Sequence, residues 1–188
     1  MEPAPQKPTE LEAWRPYLRT LARMQIESKL QAKIDASDIV QQTMLEAHQG
    51  LQQFRGESDE EIRGWLRRIM ARNLTDEVRK FRRGKRDAGL EHSLQASLTN
   101  SSLCLERLVV ADTSSPDLRA IRNEQLIRLS SAIEELPEDQ RRAVTLHHLQ
   151  RKSSAEIARD MGKTEIAVAG LLRRGLQRLR ESLREAEG

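Results

Sequence analysis

Apolar residues recur along this chain at helical spacing, and no stretch of convincing length alternates as a strand would. Residues 38–55 give the clearest case. Val40, Met44, Ala47, Leu51 and Phe54 follow i, i+4, i+7, i+11 and i+14, which places them on one face of an amphipathic helix. Asp35 or Ser37 is positioned to cap that helix and Gly56 to end it. The opposite face carries Asp38, Gln41, Gln42 and Glu46. Residues 60–83 predict a second helix with Ile62, Trp65, Leu66, Ile69, Leu74, Val78 and Phe81 buried, arginines on the other face, and Gly84 as its stop. Residues 11–31 hold Leu11, Trp14, Leu18, Leu21, Met24 and Ile26 at roughly helical spacing, with Pro16 suited to a first helical turn.

Residues 1–9 are Pro-rich and expected to fray. Residues 87–122 are rich in Ser, Thr and Asn and read as a linker, with SLTNSS and ADTSSP as the clearest breaks. Leu103, Leu105, Leu108, Val109 and Val110 are apolar enough to pack, on an element the sequence does not identify. Residues 123–188 read as a compact helical unit. Leu126, Leu129, Ile133 and Leu136 mark one helix, and Pro137 opens the next through Ala143, Val144, Leu146 and Leu149. Ser153 and Glu156 form an S-x-x-E capping box, and Ile157, Ala158 and Met161 give the short helix after it an inner face. Gly162 is placed to end that helix in a left-handed turn. Thr164 then caps a long helix through Ile166, Val168, Leu171, Leu172, Leu176, Leu179 and Leu183. Helix, glycine turn, helix is the helix-turn-helix layout. The expected fold is all-α: two small helical domains, 10–86 and 123–188, joined by a linker over 87–122, the second containing the helix-turn-helix.

Composition supports thin bundles over one thick core. Of 188 residues, 37% are hydrophobic and only 3% aromatic. The single cysteine, Cys104, excludes an internal disulfide framework and fits a reducing compartment. The first residues lack the apolar core of a signal peptide, and no window approaches the roughly 18 apolar residues of a membrane span. A cytoplasmic protein without membrane insertion is expected.

Charge changes the picture more. The net +3 conceals a block at 63–86, where ten Lys/Arg face only Asp76 and Glu77. A second block at 151–184 sets nine Lys/Arg against four acidic residues. Two basic blocks in an acidic background suggest two polyanion contacts, although solvated helix faces give the same pattern. Other chemistry is sparse. His147 and His148 are adjacent and expected on different helix faces, no Cys/His set has metal spacing, and Gly84 and Gly89 make no phosphate loop. No nucleophile–base pair is identifiable, so no catalysis, metal or cofactor is expected.

Three segments carry a resemblance. ELPEDQRRAVTLHHLQRKSSAEIARDMGKTEIAVAGLLRRGLQRLRESL resembles the promoter-reading C-terminal domain of extracytoplasmic-function (ECF) sigma factors of the sigma-70 family, through its L-P-x-x-Q-R entry, E-I-A-x-x-x-G turn and V-x-x-x-L-x-R run. Upstream, DASDIVQQTMLEAHQGLQQFRG is similar to the family's polymerase-binding helix, and GWLRRIMARNLTDEVRKFRRGKR to the helix that binds and opens the −10 element. The blocks stand in the family's order and span roughly 10–86 and 123–184. The resemblance implies that core RNA polymerase and promoter DNA are the partners. It implies that Asp38, Ile39, Gln41 and Gln42 dock on the polymerase clamp, that Trp65 and Leu66 are a core pair, and that Arg79, Lys80, Arg82 and Arg83 follow −10 phosphates. Lys163, Thr164, Glu165, Ala167, Arg173 and Arg174 fall on the helix that reads the −35 element, with Arg178 after it as a further phosphate contact. Family members are often held by an anti-sigma partner, and no segment here identifies one.

The chain departs from the family's pattern at two places. Family members commonly have Asn seven residues after the tryptophan, near the flipped −10 base; Arg72 stands there and Asn73 follows. A Lys or Arg is common just after the valine of the −35 helix, where this chain has Ala169, Gly170 and Leu171. Readout at −35 would then lean on phosphates, DNA shape and Lys163, Thr164 or Arg173. Two rival readings fit the helices: a free-standing helix-turn-helix regulator that binds duplex DNA without polymerase, and a helical adaptor that binds no DNA.

Overall fold

In a computed structural model, residues 10–26, 34–81, 89–109 and 116–185 are described. Every regular element among them is a helix, and none is a strand. The chain divides into two compact units, Met1–Asn100 and Ser101–Gly188.

The first unit begins with a 3-10 turn, Leu11–Trp14, that leads into α1 (Arg15–Ile26) with Pro16 in its first turn. Helix α2 (Ala36–Gly50) starts where the Asp35 carboxylate accepts the Ser37 backbone N–H at 2.7 Å. It ends sooner than the sequence spacing suggests. A 3-10 turn, Leu51–Gln53, follows Gly50, and Leu51 is turned to solvent instead of continuing the apolar stripe. Helix α3 (Asp59–Phe81) opens on a second capping box. Ser58 Oγ and N–H both donate to the Glu61 carboxylate, and the Glu61 N–H donates back to Ser58 Oγ at 3.3 Å. Gly84, the expected stop of this helix, and the side chain of Phe81 lie outside the described residues.

Helices α1, α2 and α3 enclose a core built on Trp14, Tyr17, Leu18, Leu21, Met44, Leu66, Met70 and Leu74, all fully buried. Trp14 and Tyr17 meet edge to face, with centroids 5.7 Å apart. Trp65 is half-buried and stacks on Phe54 at 4.7 Å, a packing role. The arginines of α3 are not simply its outer face. Arg63 is buried with its guanidinium 5.8 Å from the Trp14 ring, and Arg67 donates to the Tyr17 hydroxyl at 2.9 Å.

The expected linker contains a helix. Residues Gly89–Val109 form α4, so SLTNSS is not a break. Leu98 and Leu105, seven apart on one face, are both fully buried, and Thr99 Oγ1 bonds back to the Gln95 carbonyl at 2.9 Å. Burial of that face overrides the weak helix propensity of Ser, Thr and Asn. Most of ADTSSP lies outside the described residues, as does Val110, and its Pro116 opens α5 (Pro116–Glu135) earlier than expected. Within the second unit, Leu108 and Val109 line a cleft of about 380 Å³ with Ile121, Leu129 and Leu183 and the polar side chains Glu124, Gln125 and Arg128.

In that unit Pro137 caps α6 (Glu138–Val144), which runs into a π-helical turn, Thr145–Leu149. The Arg141 guanidinium caps α5 from beyond the proline, donating to the Glu134 carbonyl at 2.7 Å and pairing with Glu138. His147 and His148 occupy the π turn, where their rings meet edge to face at 4.8 Å instead of diverging. Helix α7 (Ser154–Met161) and helix α8 (Glu165–Glu185) complete the unit. Helix α8 crosses α6 at Gly175, where a Cβ would sit 2.8 Å from the Val144 methyl. That methyl belongs to a buried β-branched side chain and has little room to yield.

Gly175→Ala should therefore destabilise the protein by about 1–3 kcal/mol through overpacking. Gly170→Ala, whose Cβ meets only the mobile end of Arg174 at 3.3 Å, should keep the roughly 1 kcal/mol propensity gain of alanine. Thermal melts of the two variants check this, and equal shifts would refute the close crossing.

Candidate nucleic-acid interface

The geometry of the second unit is set by two local devices. Ser153 Oγ accepts the Glu156 N–H at 3.3 Å, while the Glu156 carboxylate accepts the Ser153 N–H at 2.8 Å and hydroxyl at 2.7 Å. At the other end of α7, Gly162 takes φ 60° and ψ 37°. The Lys163 N–H reaches the Ala158 carbonyl at 2.9 Å and the Gly162 N–H that of Arg159 at 3.3 Å, a Schellman closure. Helix α8 then starts at Thr164, whose hydroxyl accepts the Ala167 N–H at 3.2 Å. Ile157, Ala158, Val168 and Leu146 form the seam between the helices, with Met161 and Leu172 against it. A tripartite helix-turn-helix results, and its second helix turns one face outward.

Glu165, Ala167, Arg173, Arg174 and Arg178 are all exposed on α8. Thr164 is exposed too, with its hydroxyl committed to the cap. Lys163 is held 3.0 Å from the Asp139 carboxylate of α6. Ile166, expected within the apolar stripe, is instead 87% exposed. It lies half a turn from Val168, on the face opposite the seam.

In the first unit, candidates from two helices converge. Asp38, Ile39 and Gln42 of α2 and Asn73 and Lys80 of α3 line one cleft of about 570 Å³. Asp38, Gln41 and Gln42 are exposed, but Ile39 is 5% exposed and serves the core. The cleft is acidic, with Asp35, Asp38, Glu46, Asp76 and Glu77 around Lys80. Three cations of the basic block pair with its carboxylates, Lys80 from within the cleft and Arg72 and Arg79 from beside it. Arg72 bonds Glu46 at 2.9 Å, Arg79 pairs with Asp76 at 3.4 Å, and Lys80 with Glu77 at 2.6 Å. The Glu77 carboxylate beside it raises the Lys80 pKa. Asn73 donates to Thr43 Oγ1 at 3.2 Å, and Gln42 donates to Glu46 at 2.9 Å. Arg72 and Asn73 thus lean on α2. Arg82 and Arg83 lie outside the described residues.

Two sequence models of one family match, in this order: "Sigma-70 region 2" over residues 11–84 and "Sigma-70, region 4" over residues 126–179. The chain belongs to the sigma-70 family. The helix-turn-helix lies in its region 4 and the acidic cleft in its region 2. Among curated proteins it is similar to "ECF RNA polymerase sigma factor SigG" from two strains of Mycobacterium tuberculosis, CDC 1551 / Oshkosh and ATCC 25618 / H37Rv. Each is 29% identical over 156 residues, which is 77% of this chain and 41% of the relative. The chain therefore spans about two fifths of the length of the curated relatives it matches. No helix among the described residues is long and apolar enough to cross a membrane, and none of their His, Cys, Asp and Glu residues form a metal-holding group.

The sequence spacing did not single out the Ser58–Glu61 box, although the same S-x-x-E signal stands there. It also missed the inward turn of Arg63 and Arg67, whose partners Trp14 and Tyr17 are distant in sequence.

Hydrogen bonds from the Ser153 side chain and backbone hold the Glu156 carboxyl below its ordinary value of 4.5. Its contribution to stability is present above that value and lost as pH falls through its lower, folded-state pKa. Glu156→Gln should melt below wild type at neutral pH, and the difference should shrink under acid. A difference independent of pH would contradict the ionised capping box. Ser153→Ala should cost about 1 kcal/mol.

Proposed function

We propose that this chain directs core RNA polymerase to promoters, with region 2 docking on the polymerase and capturing the −10 strand and region 4 holding −35 duplex DNA. The observation that carries the reading is the outward face of α8 behind a fully formed helix-turn-helix. Its arginines, Arg173, Arg174 and Arg178, are exposed and have no ion pair among the described residues. A second helix so presented suits the major groove, with its first turns at base edges and later cations at phosphates.

Region 2 contributes differently. The exposed acidic and amide groups of Asp38, Gln41 and Gln42 suit a cationic polymerase surface better than DNA. Arg72, Arg79 and Lys80 reach nucleic acid by leaving their carboxylate partners. Exposed pairs of this kind are worth only about 0–1 kcal/mol each, so phosphates compete readily. Arg82 and Arg83 extend the same basic end in the sequence. Flipping a −10 base costs a few kcal/mol, which a weak module gains by being tethered to region 4. The segment 87–122 spans the two modules. Bond formation belongs to the polymerase, so this chain needs no catalytic group. Such a factor works in the cytoplasm, and an anti-sigma protein is a further candidate partner.

The test is binding of the full chain to purified core polymerase. Asp38→Ala should weaken that binding and leave the melting curve near wild type, since the side chain is exposed. Normal binding by the variant would refute the docking assignment. Alanine at Arg173 or Arg178 should weaken DNA binding across sequences and reduce the salt slope by about one phosphate each. An unchanged slope would remove them from the interface. A chain that binds duplex DNA but never polymerase would be a free-standing regulator.

A further inference from the structure

Helix α8 buries Val168, Leu171, Gly175 and Leu179 along one side. On the opposite side of its first turns stand Ile166, Ala169, Gly170 and Arg173, spaced i, i+3, i+4 and i+7. Ile166, at 87% exposure, is the most exposed large apolar side chain among the described residues. A scattered surface isoleucine is ordinary. This one stands in the turn that the proposed function sets at base edges, where the exposed polar neighbour on its own helix is the Glu165 carboxylate, a group that accepts but cannot donate and that phosphates repel. Ala167, Ala169 and Gly170 carry no side-chain donor or acceptor. Thr164 Oγ1 is committed to the Ala167 N–H, and Lys163 Nζ to the Asp139 carboxylate.

We infer that Ile166 is a specificity-determining residue that reads the C5-methyl group of a thymine in the −35 element. The inference rests on the promoter-binding role proposed for region 4. In the major groove the thymine methyl is the apolar group on offer, while the other bases present hydrogen-bond donors and acceptors. An isoleucine set against those would strip their water and return no hydrogen bond, which disfavours them. Against the methyl it excludes water from two apolar surfaces at once. The small residues at 169 and 170 leave the helix backbone free to approach the bases. Arg173, one turn further on the same face, anchors the adjoining phosphate or guanine.

The experiment uses the full chain assembled with core polymerase. Duplexes enriched from a randomised pool define the −35 element, and each of its thymines is then replaced singly by deoxyuridine, which removes only the methyl group. At one position wild-type affinity should fall by about fourfold, the effect of one buried methyl. Ile166→Ala should bind the thymine duplex with the same loss and show no further loss on deoxyuridine. Ile166→Val should retain the sensitivity, and both variants should melt like wild type because the side chain is exposed. Insensitivity of wild type to every replacement, or equal sensitivity in Ile166→Ala, overturns the inference while leaving the sigma reading intact. Failure of the wild-type assembly to enrich any duplex overturns both.

Discussion

The left-handed turn at Gly162 is the constraint on which the helix-turn-helix, and with it the proposed DNA contact, depends. With φ at 60°, it reverses the chain after two turns of α7 and commits Lys163 and Thr164 to closing one helix and opening the next. A residue with a Cβ would adopt that conformation at a cost of roughly 1–2 kcal/mol. The turn angle decides which side of α8 meets α7. Once Val168 seats against Ile157 and Ala158, the helical period leaves Ile166 and Arg173 facing outward. The close crossing at Gly175 fixes the same helix from its other end against α6. The outward face of α8, with few polar side chains, is thus held by a scaffold with little freedom, as the proposed reading of DNA by shape and one apolar contact requires.

Region 2 works under a different constraint. Its helices are tied by ion pairs and polar contacts between α2 and α3, Arg72 to Glu46 and Asn73 to Thr43. These join the exposed polar face of α2 to the middle of α3. Exposed pairs of this kind are cheap to exchange. While its cations stay paired the acidic cleft disfavours a polyanion, so the nucleic-acid contact proposed for region 2 requires those pairs to exchange.

Much of this was legible in the sequence, and the failures have physical causes. The capping box at Ser153, the turn at Gly162 and the stripe through Val40, Met44 and Ala47 were readable because each depends on residues within a few positions. SLTNSS misled because its polar composition outweighed, to the eye, Leu98 and Leu105 seven residues apart. Ile166 misled in the opposite sense, since apolar identity suggested burial that the helical phase denies. The inward arginines were illegible, because Arg63 and Arg67 find Trp14 and Tyr17 only after the chain folds. The site was legible as a set of positions, while the state of each side chain depended on neighbours distant in sequence.

The most direct measurement is transcription by purified core polymerase on a random promoter library, with and without this chain. The account predicts initiation that depends on the chain and selects paired −35 and −10 sequences at a fixed separation. Initiation that ignores the chain, or selection of one element without the other, would contradict it.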